Sequence, residues 1–229
     1  MSRTLEAHMI EPVRSLMHRD MRLDTTAKEF NAGYGIADLV GAVLCRQACW
    51  IREKMGFTTA LDHNIIHVLS TLDAHTRTSH AYILRRIPLS ENTILKKILP
   101  RMAALGLIER FSDGYVQLAV ELPKPTERIV AIEVKQTNWR EAILQARRYT
   151  FFADQTYVAL WNGATRLVDR KQLYYHRLGL IGVEQDCAQV LVEAPLRKPR
   201  QPQMNRFCAE FLYAKALFTT HQASCGLAV

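Results

Sequence analysis

The stretch Arg128-Ile-Val-Ala-Ile-Glu-Val-Lys135 decides how the rest of the chain is read. Its β-branched run, bounded by Pro125 upstream and Asn138 downstream, predicts a short strand that is largely buried. Side chains alternate faces along a strand, so Glu133 and Lys135 point the same way. A carboxylate and an ammonium at the end of a buried strand cost free energy unless something uses them. Glu-x-Lys is also common as a plain surface ion pair at a strand end, so its meaning depends on its surroundings.

Working outward, Trp139 to Phe152 predicts a helix and Thr156 to Trp161 a strand. Thr165 to Arg177 predicts a helix, and Leu178 to Val183 and Gln189 to Glu193 two more strands. Lys198 to Gln203 is a polar, Pro-bearing linker before a last helix, Asn205 to Phe218. Upstream, Thr4 to Met17 is an amphipathic helix, with Leu5, Met9, Val13, Leu16 and Met17 near helical spacing and Pro12 as a kink or restart point. Lys28 to Phe30 and Ile36 to Leu44 read as strands joined by the turn-rich Asn31-Ala-Gly-Tyr-Gly35, and the second strand carries Asp38 amid apolar neighbours. Alternating helix and strand predicts an α/β core with a mixed sheet.

Leu61 to Ala119 has a different texture. Asp62 to Leu72 and Ser79 to Arg86 are helical, and Ser90 caps a third helix, Glu91 to Leu105, that ends at Gly106 and is bent or split at Pro100. Leu107 to Phe111, the turn Ser112-Asp-Gly114, and Tyr115 to Leu118 then form a β-hairpin. Three helices followed by a hairpin resemble a winged helix-turn-helix, most closely over Thr93 to Leu118. The expected organisation is a core in two parts, 1–50 and 121–197, an insert over 51–120, and a linker with a helix over 198–229. Asp38 and Glu133 would then sit on neighbouring strands, separated in sequence and adjacent in space, because loop closure costs little extra as a loop lengthens.

The 229 residues are 48% hydrophobic and 23% charged, values that support a packed core. Lys and Arg outnumber Asp and Glu by 30 to 22, a net charge of +8 that favours a polyanionic partner such as DNA. No apolar run reaches the roughly 18 residues of a membrane span. The N-terminus carries charges throughout, so no secretory signal and no membrane partner is expected. The five cysteines are odd in number and scattered, and Cys45 and Cys49 lack the further ligands of a zinc site. Reduced thiols and a cytoplasmic location are expected. His63 and His67 are expected to be structural, and Trp139 and Trp161 to pack in the core. The chain has no Gly-rich phosphate loop, so any energy-driven step needs another subunit.

Metal-dependent phosphodiester hydrolysis needs hard oxygen ligands, an activated water and a cation near the phosphate. Asp38 and Glu133 offer carboxylates, Val134 lies between them with its carbonyl, and Lys135 stands ready to polarise the water. Gly35-Ile-Ala-Asp38, Ile132-Glu-Val-Lys135 and Gln145-Ala-Arg-Arg-Tyr149, in that order, resemble the PD-(D/E)XK nuclease superfamily, the restriction-endonuclease-like fold. The last of these matches the Gln-xxx-Tyr helix of a subset of those nucleases. The resemblance implies that Asp38 and Glu133 bind Mg2+ or Mn2+, that Lys135 is catalytic, and that Gln145 and Tyr149, on one helix face, position the DNA or the site. It also implies an acid on the first helix. Glu6 and Glu11 are candidates, and Glu6 is preferred because Glu11 precedes Pro12.

In the insert, Arg77, Arg85, Arg86, Lys96, Lys97 and Arg101 face one acid, Glu91, across Thr76 to Arg101. A recognition helix needs this surface, with Thr93, Lys96 and Lys97 early on the third helix and Arg85, Arg86 and Arg101 around it. Arg147 and Arg148 beside the Gln-Tyr pair either contact phosphates or face solvent, whereas Arg197, Lys198 and Arg200 form a basic linker expected to be a solvated segment and not a specific contact. The expected activity is a Mg2+-dependent DNA endonuclease, a homodimer if it cuts both strands. The alternative is a DNA-binding regulator, or an interaction subunit of a defence or mobile-element assembly, that keeps the nuclease fold as scaffold.

Overall fold

The computed structural model describes residues 2–31, 33, 35–57 and 61–225. In chain order, α1 is Ser2–Arg19, β1 Thr25–Asn31, β2 Ile36–Leu44, α2 Arg46–Lys54, α3 His63–Leu69, β3 Thr78–Ser79 and α4 His80–Arg86. Next, α5 is Glu91–Thr93, continued by a π-helical turn, Ile94–Ile98, and by α6, Leu99–Ala104. Then come β4 (Ile108–Arg110), β5 (Tyr115–Leu118), β6 (Thr126–Lys135), α7 (Trp139–Tyr149), β7 (Gln155–Trp161) and α8 (Asn162–Thr165). The chain closes with α9 (Arg170–His176), β8 (Gly179–Val183), β9 (Ala188–Val192) and α10 (Pro202–Cys225). Two compact units result: the residues up to Cys49 together with those from Pro125 onward, and Trp50–Lys124.

The first unit is α/β, built on a six-stranded sheet in the order β1-β2-β6-β7-β8-β9. β6–β7 and β7–β8 are parallel and the other pairs antiparallel, so the sheet is mixed. β6 is buried on both faces. Val130, Ile132 and Val134 pack with Met9, Val13, Leu16 and Met17 of α1. Ile129 and Ala131 pack with Ala142 and Ala146 of α7 and Leu212 of α10. Double-sided burial is why the strand reads as a continuous apolar run.

Helix α1 runs through Pro12 without a break. A proline inside a helix costs about 3 kcal/mol. The four α1 side chains that reach the sheet are at most 1% exposed, and each contributes roughly 1.5–3 kcal/mol, so burial outweighs the lost hydrogen bond. The side chain of Leu5, and Ala32 and Tyr34 of the expected turn, lie outside the described residues.

Three elements depart from expectation. The helix expected over Thr165 to Arg177 starts only at Arg170, because the Asp169 carboxylate accepts the Lys171 N–H at 2.9 Å and caps α9 there, while α8 already ends at Thr165. Arg46–Lys54 is a helix in a polar stretch that gives no clear signal. α10 begins at Pro202, where no N–H is needed, and runs to Cys225.

β2 and β6 are antiparallel neighbours paired from Leu39↔Ile132 to Leu44↔Thr126. The Cys45 N–H donates to the Pro125 carbonyl at 2.9 Å. The core thus leaves and re-enters its own sheet at adjacent positions.

The second unit has a three-stranded sheet in the order β3-β5-β4, both pairs antiparallel. Its buried side chains include Ile65, Ile83, Ile94, Leu99, Met102 and Val116. Asp62, Ser79 and Ser90 cap α3, α4 and α5 through side-chain oxygens. Pro100 lacks the N–H that would close a normal turn, and just ahead of it the Leu99 N–H reaches back five residues to the Ile94 carbonyl. No helix among the described residues is long and apolar enough to cross a membrane.

Candidate active site

Glu133 and Lys135 extend the row of β6 side chains that faces α7. Glu133 is 1% exposed and the Lys135 side chain 16%. Asp38, near the start of β2, points its carboxylate at the same strand end: Oδ2 accepts the Val134 N–H at 2.7 Å. That bond leaves Oδ1 uncommitted to the ladder. The two carboxylates and the lysine therefore meet where β2 begins and β6 ends.

The electrostatics are those of a crowded acidic site. Burial raises the Glu133 pKa to about 7, Asp38 adds to the rise, and Lys135 and Tyr149 oppose it. Asp38 is also raised, by burial first and then by Glu6 and Glu29, against the Val134 N–H and Lys135. Burial works against the Lys135 charge, but Glu133, Asp38 and Glu6 outweigh it and its pKa is raised. Lys135 is therefore a fixed cation and not a base.

Lys135 Nζ lies 2.8 Å from Glu133 Oε1. The distance is that of an ion pair, but no donor is aligned on this buried oxygen for a hydrogen bond. Oε1 thus retains an open acceptor direction on the side of Asp38. Tyr149, at the end of α7, touches the other oxygen, Glu133 Oε2, and also the Ile36 carbonyl at 2.7 Å. One hydroxyl proton serves one acceptor at a time. Both contacts are satisfied together when Glu133 carries a proton and donates it to Tyr149 Oη. Burial and the Glu133 charge keep the Tyr149 phenol protonated, with its pKa raised.

Gln145 lies one turn before Tyr149 and is half-buried, but its amide donates to Glu141 Oε1 at 3.0 Å on the same helix. The structure brings Tyr149 into the site and leaves Gln145 at its margin. On α1, the Glu6 charge is felt at both Asp38 and Lys135. Glu11 is instead held by Lys28 at 2.5 Å and Arg14 at 3.7 Å.

Sequence reasoning missed Glu29. Pairing between β1 and β2 lapses between Lys28↔Leu39 and Phe30↔Ala37, which puts Glu29 opposite Asp38. Its backbone is left-handed, at φ 54°. A non-glycine residue there costs about 1–3 kcal/mol and is found most often at functional sites. Nothing in the alternation of β1 signals it; only the charged pair Lys28-Glu29 inside a strand is visible.

Among the described residues, no group of three or more His, Cys, Asp or Glu side chains forms a ready ion cage. The oxygen set at β2 and β6 is two carboxylates and backbone, which suits a hard ion that retains several waters. Glu133 Oε1, buried beside a second carboxylate with Lys135 as its ion-pair partner, fits such an ion.

In the second unit, Lys96 and Lys97 are exposed within the π-helical turn, next to half-buried Thr93. Thr93 Oγ1 is 2.7 Å from the capping Ser90 Oγ. Arg86 stacks on Tyr82 at 4.6 Å, and Arg85 reaches the Ala81 carbonyl at 3.3 Å. Arg101 is held by Asp62 at 2.5 Å, and Arg77 lies near Asp113 at 3.9 Å.

Compared with known proteins, the chain matches no family model. It matches no curated protein. Among solved structures it is similar to SPO1766, a protein of unknown function from Silicibacter pomeroyi, at 20% identity and a TM-score of 0.31. That alignment covers 42% of this chain and 62% of the other.

Proposed function

We propose that this chain is a metal-dependent DNA endonuclease of the PD-(D/E)XK type, carrying a winged helix-turn-helix between two strands of its core. The observation that carries the proposal is the meeting of Asp38, Glu133 and Lys135 at one end of adjacent strands, with Tyr149 braced against Glu133. Asp38, Glu133 and the Val134 carbonyl, with Glu6 from α1, are the groups that would hold Mg2+ or Mn2+. When bound, the ion supplies an activated water and neutralises charge on the phosphate.

The chain's own residues do the rest. Lys135, kept charged by its acidic neighbours, donates to the attacking water or to a phosphate oxygen as negative charge builds there. Tyr149 fixes the Glu133 rotamer so that Oε1 faces the reaction. Water adds to phosphorus, one P–O bond breaks, and the products are a phosphate monoester and a hydroxyl. Exposed Lys96 and Lys97, with Arg85 and Arg86, are the basic groups that would engage DNA phosphates. A homodimer supplies two sites for a double-strand cut, and partner subunits of a defence or mobile-element system supply any energy-driven step.

The test is cleavage of supercoiled, linear and branched DNA with Mg2+ or Mn2+, comparing wild type with Lys135→Ala and Asp38→Ala. Both variants are expected to lose activity while retaining DNA binding. Equal cleavage by all three proteins sinks the assignment. DNA binding without cleavage by wild type supports the scaffold alternative.

A further inference from the structure

Helices α7 and α9 and the segment before α10 enclose a cavity of about 720 Å³ within the first unit. Arg147 and Arg148 line it from the last turn of α7, Arg177 from the end of α9, and Arg197 and Arg200 from the segment that leads to α10. No acidic side chain lines it, and none of these arginines makes an ion pair among the described residues. Such a concentration of guanidinium groups is self-repelling without an anion.

Arg197 shows the imbalance most clearly. Its Nε is buried without a hydrogen-bond partner, and its Nη2 reaches Thr156 Oγ1 only at 3.4 Å. Burial, with the charges of Arg177 and Arg200, brings its pKa down to about 10. His176, also on the lining, is pushed down by burial and then by Arg147. Arg177 closes α9 in the left-handed conformation, at φ 56°, where glycine is the usual residue.

The rim supplies a second kind of recognition. Tyr175 lines the cavity and is 78% exposed, and its neighbour Tyr174 is 89% exposed. Guanidinium forks match phosphate oxygens. Exposed aromatic rings beside them offer a stacking surface to any base that is not already stacked in a duplex. We propose that this cavity binds single-stranded nucleic acid, with the arginines on successive phosphates and Tyr175 stacked on an unpaired base.

Arg148 also connects the cavity to the candidate active site. Its Cδ lies 3.7 Å from where a Cβ on Gly35 would stand, three residues before Asp38. A strand seated among the arginines would pass within reach of the residue that leads into β2. That direction rests on the nuclease proposal, whereas the binding itself does not.

The experiment is fluorescence anisotropy in EDTA, which removes cleavage from the measurement. Its probes are a labelled oligothymidylate of about ten nucleotides, within the span of known single-strand sites, and a duplex of equal length. The proteins are wild type, Tyr175→Ala, Tyr175→Phe and the double variant Arg177→Gln/Arg200→Gln. Tyr175→Ala is expected to weaken oligothymidylate binding about tenfold and leave duplex binding unchanged, and Tyr175→Phe to restore it. The double variant is expected to flatten the salt dependence by about 0.7 for every phosphate it no longer neutralises. Undiminished oligothymidylate binding by Tyr175→Ala, or equal losses on both probes, overturns the proposal. Wild-type binding with no cleavage when Mg2+ is restored counts against the nuclease proposal and leaves this one standing.

Discussion

Replacing Glu133 with glutamine isolates the energetic strain of the candidate site. The substitution retains the shape of the side chain and removes its ability to ionise. In the wild type, the Glu133 pKa is raised to about 7 from an ordinary 4.5. The native state then binds its proton more tightly than the unfolded chain, so stability is greatest below pH 4.5 and declines as pH rises through 7. A shift of that size amounts to about 3 kcal/mol over the full window, of which roughly 2 to 3 kcal/mol falls between pH 5 and pH 8. Lys135 is raised above its ordinary 10.5, so its contribution is constant across this window and cancels. The assay is urea unfolding in EDTA at pH 5 and pH 8, followed by tryptophan fluorescence; Trp139 and Trp161 both pack against the core of the first unit. Wild type is expected to lose those 2 to 3 kcal/mol, roughly, relative to Glu133→Gln as pH rises. Mg2+ at pH 8 should return stability to wild type and not to the variant. Parallel pH profiles for the two proteins would refute a buried, protonatable Glu133.

Two further outcomes follow from the same geometry. Lys96→Ala with Lys97→Ala should weaken DNA binding and lower the salt slope on duplex DNA by about 0.9 for each phosphate left unneutralised; an unchanged slope removes these lysines from the interface. Gly179→Ala should destabilise the first unit by about 3 kcal/mol or more, measured as a shift in denaturation midpoint, because the new Cβ would lie 2.2 Å from Tyr157 Cδ1 and 2.8 Å from the Val192 carbonyl. Tyr157 cannot swing away freely, since its hydroxyl is held by Glu193 at 2.7 Å. A midpoint within experimental error of wild type would contradict that packing.

The legible parts of this chain are those where one physical cause dominates. β6 is visible because burial on both faces leaves only apolar residues from Ile129 to Ile132, just before Glu133 and Lys135, whose shared face follows from parity alone. Asp38 is visible as a charge inside an apolar strand, but its bond to the Val134 N–H depends on pairing across the whole insert. Elsewhere causes compete. The apolar periodicity of 165–177 suggests a helix from Thr165, and a single capping carboxylate at Asp169 delays its start to Arg170. Pro100 announces an irregularity but not its form, which is set by a five-residue hydrogen bond at Leu99. Gln145 and Tyr149 share a helix face, yet only the longer reach and single donor of Tyr149 meet Glu133. The left-handed backbone of Glu29 is a property of the assembled sheet edge, and local propensity carries no trace of it.

The pairing of β2 with β6 has an architectural consequence. Asp38 and Glu133 stand at one end of this antiparallel pair, while Leu44 and Thr126 close the other, six residues and about 20 Å away. The far end is in effect a hairpin whose turn has been exchanged for a folded module. A hairpin turn is where a sheet tolerates new sequence, because the ladder needs only that the two ends arrive side by side. The strand pair thus acts as a socket: a folded module can be exchanged at one end while the carboxylates at the other keep their register.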